Sequence, residues 1–411
     1  MAKIGNITIV NKSEAFNSGA AFLMQKPSPV SSVITLDRNS IVEVEKDNPY
    51  VVARTQDLDS HQNAFDYGHQ LVQKGLDILS ITGQSDLGTR DSTDENFVWW
   101  CSTNRITLRI TDSGNSNCNL NITCDNGTAS VESPSIYPSY HEAYRYFRLS
   151  QITDDLFDAY RNMYLAFELL ASSHVPRTES KTKKGKTIWE SESVWLKRYL
   201  RTINKDILTS TFLGASDPIQ EFVDEIYKAA RCPLFHAKDG ESFFSPHGEI
   251  ENRQAIIEAI NKLTRIFLLL AKEKNKLVRN LGASMSTGLK REILITPFLD
   301  KFFFILSDDD SPFDPDEIGF DNPRYQRAIK SEKVTENVSN THNFSLIGNI
   351  QNIESENLTQ IRRVELADED GSAKITTILE APLCINEIDD LEIQFNQQII
   401  SGNSPNRQFQ R

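Results

Sequence analysis

Leu149-Ser-Gln-Ile-Thr-Asp-Asp-Leu-Phe-Asp-Ala-Tyr-Arg-Asn-Met-Tyr-Leu-Ala-Phe-Glu-Leu-Leu170 decides how the middle of the chain folds. Leu149, Ile152, Leu156, Tyr160, Met163, Phe167 and Leu170 follow one another in steps of three or four residues. An α-helix turns once in about 3.6 residues, so this spacing lines them along one face. The stretch predicts one long amphipathic helix, which needs partners to cover its apolar stripe.

Three further helices supply them. A second runs from about Trp189 to Asn204, after a polar loop from Arg177 to Thr187. A third starts at Ser216-Asp-Pro218, where Asp217 caps and Pro218 fits a first turn that needs no N–H. It carries Ile219, Phe222, Val223, Ile226 and Tyr227, and Pro233 is expected to stop it at Cys232. A fourth, from about Asn252 to Lys276, aligns Ile256, Ile260, Leu263, Phe267 and Leu270. Four compatible apolar faces close one bundle.

On either side the period changes from 3.6 to 2. Ile4 to Val10, part of Val33 to Val44, and Arg105 to Thr111 alternate, the last placing Ile106, Leu108 and Ile110 on one face. Asp125-Asn-Gly127 between two short runs is a hairpin signal. Gly68 to Leu79 is an amphipathic helix among these strands. Phe302 to Leu306 is a buried-strand candidate, and Ser345 to Ile350, Thr359 to Leu366, Ile375 to Leu379 and Leu391 to Phe395 follow. The expected fold class is α+β in three parts: a β-rich domain over 1–138, a helical domain over 139–282 and a β-rich region over 283–400, with a mobile tail over 401–411.

The formal net charge is −13, which disfavours non-specific binding of nucleic acid by the whole molecule. Glu142 to Arg279 holds 22 Lys and Arg against 19 Asp and Glu, so the helical part is the basic part of an acidic chain. The five cysteines are scattered without a CxxC pair, which predicts free thiols in a cytoplasmic protein and no zinc ribbon. The first residues lack the apolar core of a signal peptide, and Ile266 to Ala271 is far too short to span a bilayer. No membrane partner, metal or cofactor is expected; no phosphate-binding Gly-rich loop occurs, and no Gly-x-Ser-x-Gly or His-Glu-x-x-His motif.

Arg231-Cys-Pro-Leu-Phe-His236 is the stretch with chemical promise. An arginine grips phosphate with two parallel N–H bonds and stays charged, while a histidine trades a proton near neutrality. Together they suit metal-free RNA cleavage, in which the ribose 2′-OH attacks the adjacent phosphate. The bland alternative has Arg231 on the terminal helix carbonyls and His236 packed in the loop. Lys183 and Lys184 in the polar loop, and Lys238, are candidate contacts to an RNA backbone. Asp308, Asp309, Asp310, Asp314 and Asp316 crowd together, but Pro312 and Pro315 interrupt any calcium-loop order. Cys232 beside His236 fits either a thiol–imidazole pair, for which no third orienting group is evident, or a small buried residue, which is the commoner case, and Trp99-Trp100 either a base-stacking platform or core.

The helical pattern with its terminal Arg-x-x-x-x-His resembles the HEPN superfamily. Phe147-Arg-Leu-Ser-Gln-Ile-Thr-Asp-Asp-Leu-Phe-Asp-Ala-Tyr-Arg-Asn162 and Arg231-Cys-Pro-Leu-Phe-His-Ala-Lys238 are similar to methylamine-utilisation accessory proteins of the MauJ type. The resemblance covers about residues 140 to 280. It implies a four-helix domain, usually a homodimer, with the Arg and His of two protomers facing each other. It also implies one of two functions. The first is a metal-independent endoribonuclease, as in bacterial antiphage defence, with Arg231 and His236 catalytic. The second is a non-catalytic dimerisation scaffold, whose β-rich regions bind a partner protein. Many HEPN nucleases carry a polar residue after the arginine, where this chain has Cys232.

Overall fold

A computed structural model describes residues 1–90, 94–117, 140–153, 155–181, 187–235, 250–275, 301–311, 328–338, 343–353, 358–371 and 373–400. The chain opens with β1 (Ala2–Ile4), β2 (Ile7–Val10), β3 (Ser18–Leu23), β4 (Ser32–Asp37), β5 (Ser40–Val44), β6 (Tyr50–Thr55), α1 (His61–Ile81), β7 (Asn96–Ser102) and β8 (Arg105–Asn117). The middle holds α2 (Ala143–Ile152), α3 (Leu156–His174), β9 (Glu179–Lys181), β10 (Thr187–Trp189), α4 (Glu192–Leu200), α5 (Lys205–Thr209), α6 (Pro218–Phe222), a π-helix (Val223–Arg231), α7 (Cys232–Phe235) and α8 (Ile250–Asn275). Strands return as β11 (Phe302–Ser307), β12 (Ala328–Lys333), β13 (Thr335–Val338), β14 (Asn343–Ile350), β15 (Gln360–Asp368), β16 (Ala373–Cys384) and β17 (Asp390–Ile400). The class is therefore α+β, with β-rich terminal regions around a helical centre. No helix among the described residues is long and apolar enough to cross a membrane.

The two β-rich regions are one unit and not two. β1 and β2 complete a six-stranded sheet whose order is β12-β11-β15-β16-β1-β2. β8 lies beside β17 in a nine-stranded sheet ordered β13-β14-β17-β8-β7-β3-β6-β5-β4. Ion pairs cross that seam, Arg105 to Asp390 and Arg109 to Glu392, each at 2.6 Å. The separate domains expected over 1–138 and 283–400 are corrected accordingly, because each region alone would leave open the sheet edges that the other pairs.

Alternation explains the layering. Ala21 and Leu23 of β3, Tyr50 and Val52 of β6, and Phe97 and Trp99 of β7 enter the core between the sheets. Their neighbours Ala20, Phe22, Val51, Ala53, Val98 and Trp100 point the other way, onto α1. Ile106, Leu108 and Ile110 share the inter-sheet core, as their spacing requires. Gly68 and Gly75 let α1 lie close: a Cβ on either would stand 2.6 Å from Ala20 or Val42. The base-stacking reading of Trp99-Trp100 is corrected, since both rings are buried in these two cores.

The helical unit departs from expectation at its start. Thr153 is extended and ends α2, while the Asp155 carboxylate caps α3 by accepting from Asp158 N–H at 2.7 Å. The Ser150 hydroxyl reaches the Met163 sulfur at 3.7 Å, although thirteen residues of straight helix would separate them by about 20 Å. The single long helix is thus a hairpin of two, and Ile152, expected in the stripe, is 59% exposed. From Leu156 onward the stripe is buried, as is that of α8 from Ile256 to Leu270. The second helix is shorter than expected: Trp189 belongs to β10, which pairs with β9 where a loop was expected. Asp217 caps and Pro218 takes the first turn as expected. Pro233 does not stop the rod: Cys232 keeps helical backbone and the chain passes straight from the π-helix into α7, through Phe235. The Asp125–Gly127 turn and the 401–411 tail lie outside the described residues.

Candidate functional site

Arg231 is the last residue of the π-helix, and the wider turn is visible at the next residue, whose N–H bonds five back to Tyr227 O. π-Helical turns are rare and often occur at functional sites, since the misfit reorients the side chains that follow. Tyr160 of α3 ties this segment down, its buried hydroxyl donating to Ile226 O at 2.6 Å.

The Arg231 guanidinium meets a cage. Its Nη2 donates to Glu192 Oε2 of α4 at 3.0 Å, and the two side chains are 17% and 11% exposed. Its carbon lies 5.0 Å from the Phe235 ring centre, 5.5 Å from Tyr227 and 5.7 Å from Tyr164. The Tyr164 hydroxyl donates to Glu192 Oε1 at 2.8 Å, so one carboxylate fixes both groups. Three elements therefore converge on one cation: α3 through Tyr164, α4 through Glu192, and its own rod through Tyr227 and Phe235.

The electrostatics follow from burial. Desolvation is the largest single influence and works against the Arg231 charge, but Glu192, Tyr164, Tyr227 and Cys232 together outweigh it and favour the cation. Burial pushes the Tyr164 phenol far above its usual range, and the Glu192 charge pushes the same way. Glu168 is also pushed up, by burial first and the Glu192 charge second, with Arg231 and Arg177 opposing. The site is an oriented guanidinium balanced by one carboxylate, beside a second that holds its proton more tightly than an ordinary surface glutamate. Burial lowers the local dielectric, so the charges held there interact more strongly than they would in water.

Of the candidate catalytic and RNA-contacting residues, only Arg231 is described. His236, Lys238, Lys183 and Lys184 lie outside the described residues, and with His236 goes the suggested pairing with Cys232. In the acidic stretch, Asp309 and Asp310 pair with Arg363 at 3.2 Å and Arg362 at 2.7 Å, so these carboxylates already have cationic partners. Among the described residues no group of three or more His, Cys, Asp or Glu is placed to hold a metal ion. Sequence reading missed Glu192, Glu168 and Tyr164. The signal for Tyr164 was a polar group one step off the apolar stripe; Glu192 carries none, being an ordinary first-turn acid thirty-nine residues from its partner.

Comparison of the chain with protein-family models, with curated proteins and with solved structures finds no match.

Proposed function

We propose that the helical unit is a HEPN-type four-helix module and acts as a metal-independent endoribonuclease of the kind used against phage. Arg231 and His236 are its catalytic pair, and a homodimer is its working form. The observation that supports this reading is the π-helical delivery of Arg231 into a carboxylate-and-phenol cage. Buried charge of this kind is costly to maintain in a purely structural rod, and perturbed groups cluster at functional sites. In the reaction, His236 takes the proton of the ribose 2′-OH as it attacks the neighbouring phosphorus. Arg231 stabilises the charge that accumulates on the non-bridging oxygens. The P–O5′ bond breaks, the 5′-oxygen takes up a proton from water, and the products are a 2′,3′-cyclic phosphate and a 5′-hydroxyl.

A second reading is a non-catalytic HEPN-like dimerisation scaffold that binds a partner protein through its β-rich regions. The low exposure of Arg231 and its pairing with Glu192 favour it, since a structural arginine would be held in the same way. Incubating purified protein with labelled RNA, with and without EDTA, separates the two. Cleavage that EDTA leaves unchanged supports the nuclease; no cleavage from a protein that light scattering finds dimeric supports the scaffold.

A further inference from the structure

Phe235 is approached by two arginines. Arg231 lies 5.0 Å from its ring centre, and Arg161, one turn into α3, lies 5.9 Å from the same centre. Sequence spacing does not connect them, yet the fold brings both guanidiniums to one half-buried aromatic ring. Their circumstances differ. Arg231 is 17% exposed and balanced by Glu192. The Arg161 side chain is 49% exposed, and its ion pair is with Asp158 at 3.3 Å, itself 56% exposed. An exposed pair of that kind contributes little, and water or a stronger anion exchanges with it readily.

We infer that Arg161 is a second anion-binding residue of the Arg231 site, and that the site takes the backbone of single-stranded RNA across more than one phosphate. This rests on the nuclease reading above. The Arg231–Glu192 pair is balanced and little exposed, so it alone offers a polyanion little purchase. The exposed Arg161–Asp158 pair opens at small cost, and a chain of repeating phosphates can engage both guanidiniums where a lone phosphate engages one. Arg161 then acts in capture and register, and Arg231 at the phosphate that reacts.

The test uses the full chain and a short 2′-O-methyl RNA, which binds but lacks the nucleophile, followed by fluorescence anisotropy over a range of salt. Arg161→Gln is expected to weaken binding about 3- to 10-fold at low salt. It should also flatten the plot of log affinity against log salt by about 0.7, the value of one phosphate contact on a single strand. Arg161→Lys should restore the slope. Arg201→Gln, at the other end of α4 from Glu192, should change neither by a comparable amount. If Arg161→Gln binds like wild type while Arg231→Gln loses binding, the site does not extend to Arg161 and only this inference fails. If Arg201→Gln matches Arg161→Gln, the effect is bulk charge, and again only this inference fails. If the wild-type chain binds no RNA, the nuclease reading fails and takes the inference with it.

Discussion

Arg231 Nη2 and Glu192 Oε2 meet at 3.0 Å, joining the end of the π-helix to the first turn of α4. A charge pair this little exposed is stabilising mainly in the sense that losing one member strands the other. Glu192→Ala should therefore lower the stability of the helical unit by about 2–4 kcal/mol, below the full range for a completely buried pair because some water reaches it. Glu192→Gln, which keeps an acceptor for the Tyr164 hydroxyl, should cost less. Urea unfolding followed by circular dichroism measures both. Equal midpoints for Glu192→Ala and wild type would mean that the pair does not hold α4 in place.

The glycines under α1 give a prediction in the β-rich unit. Replacing a mid-helix glycine by alanine ordinarily stabilises by about 0.5–1 kcal/mol. At Gly68 the new Cβ would stand 2.6 Å from Ala20 Cβ and 3.2 Å from Ala20 N, on a strand fixed between two neighbours. Overpacking of that kind costs about 1–3 kcal/mol. The packing term wins, so Gly68→Ala should lower the thermal midpoint. A rise would show that α1 shifts freely on the sheet.

What was legible in the sequence was local. The stripes of α3 and α8 and the alternation of β8 appear where the spacing put them, because each is a periodic signal within one element. The α2–α3 break was missed because Leu149, Ile152 and Leu156 keep helical spacing across it. The cue was Asp155, a capping residue ahead of Leu156. The union of the terminal regions left no local trace. Ile106 N–H donates to the Asp389 carboxylate at 2.7 Å, a pairing that only the folded sheet creates. The site was half legible for the same reason: Arg231 stands out in a motif, whereas Glu192 acquires its role only when α4 packs beside the π-helix.

Glu95 provides a pH signature. It is 7% exposed, just before β7, and its carboxyl is pushed up to about 8, by burial first and then by the nearby charges of Asp112 and Glu380. The folded state thus holds this proton more tightly than the unfolded chain, whose group titrates near 4.5. The stability it contributes is fully present below about 4.5 and is lost as pH rises to about 8. At about 1.4 kcal/mol per unit of difference, the loss amounts to a few kcal/mol across that window. Glu95→Gln, which stays neutral, should remove this fall and make the β-rich unit more stable than wild type at pH 8. Urea midpoints at pH 5, 6.5 and 8 test it. Parallel pH dependence in the two proteins would show that Glu95 is ionised in the fold.

The catalytic reading makes the sharpest demand on Arg231 itself. Lysine keeps the positive charge, but its ammonium lacks the planar fork that grips two phosphate oxygens and that Glu192 holds in orientation. If Arg231 stabilises the transition state, Arg231→Lys should cut the rate of RNA cleavage by about 10²–10³, the loss expected for removing one donor from an oxyanion site. His236→Ala should cut it by about 10²–10⁴, the contribution of a general base. In the wild type, mass spectrometry of the products should find 2′,3′-cyclic phosphate ends, and EDTA should leave the rate unchanged. A scaffold arginine behaves differently. Lysine in the same cage would keep the charge opposite Glu192 and lose only packing, so Arg231→Lys would show a small fall in unfolding midpoint and no chemical phenotype. Measuring cleavage and unfolding on the same Arg231→Lys sample separates the cases: lost cleavage with a near-normal midpoint supports catalysis, and a changed midpoint in a protein that cuts no RNA leaves Arg231 as the strut between α3, α4 and the π-helix.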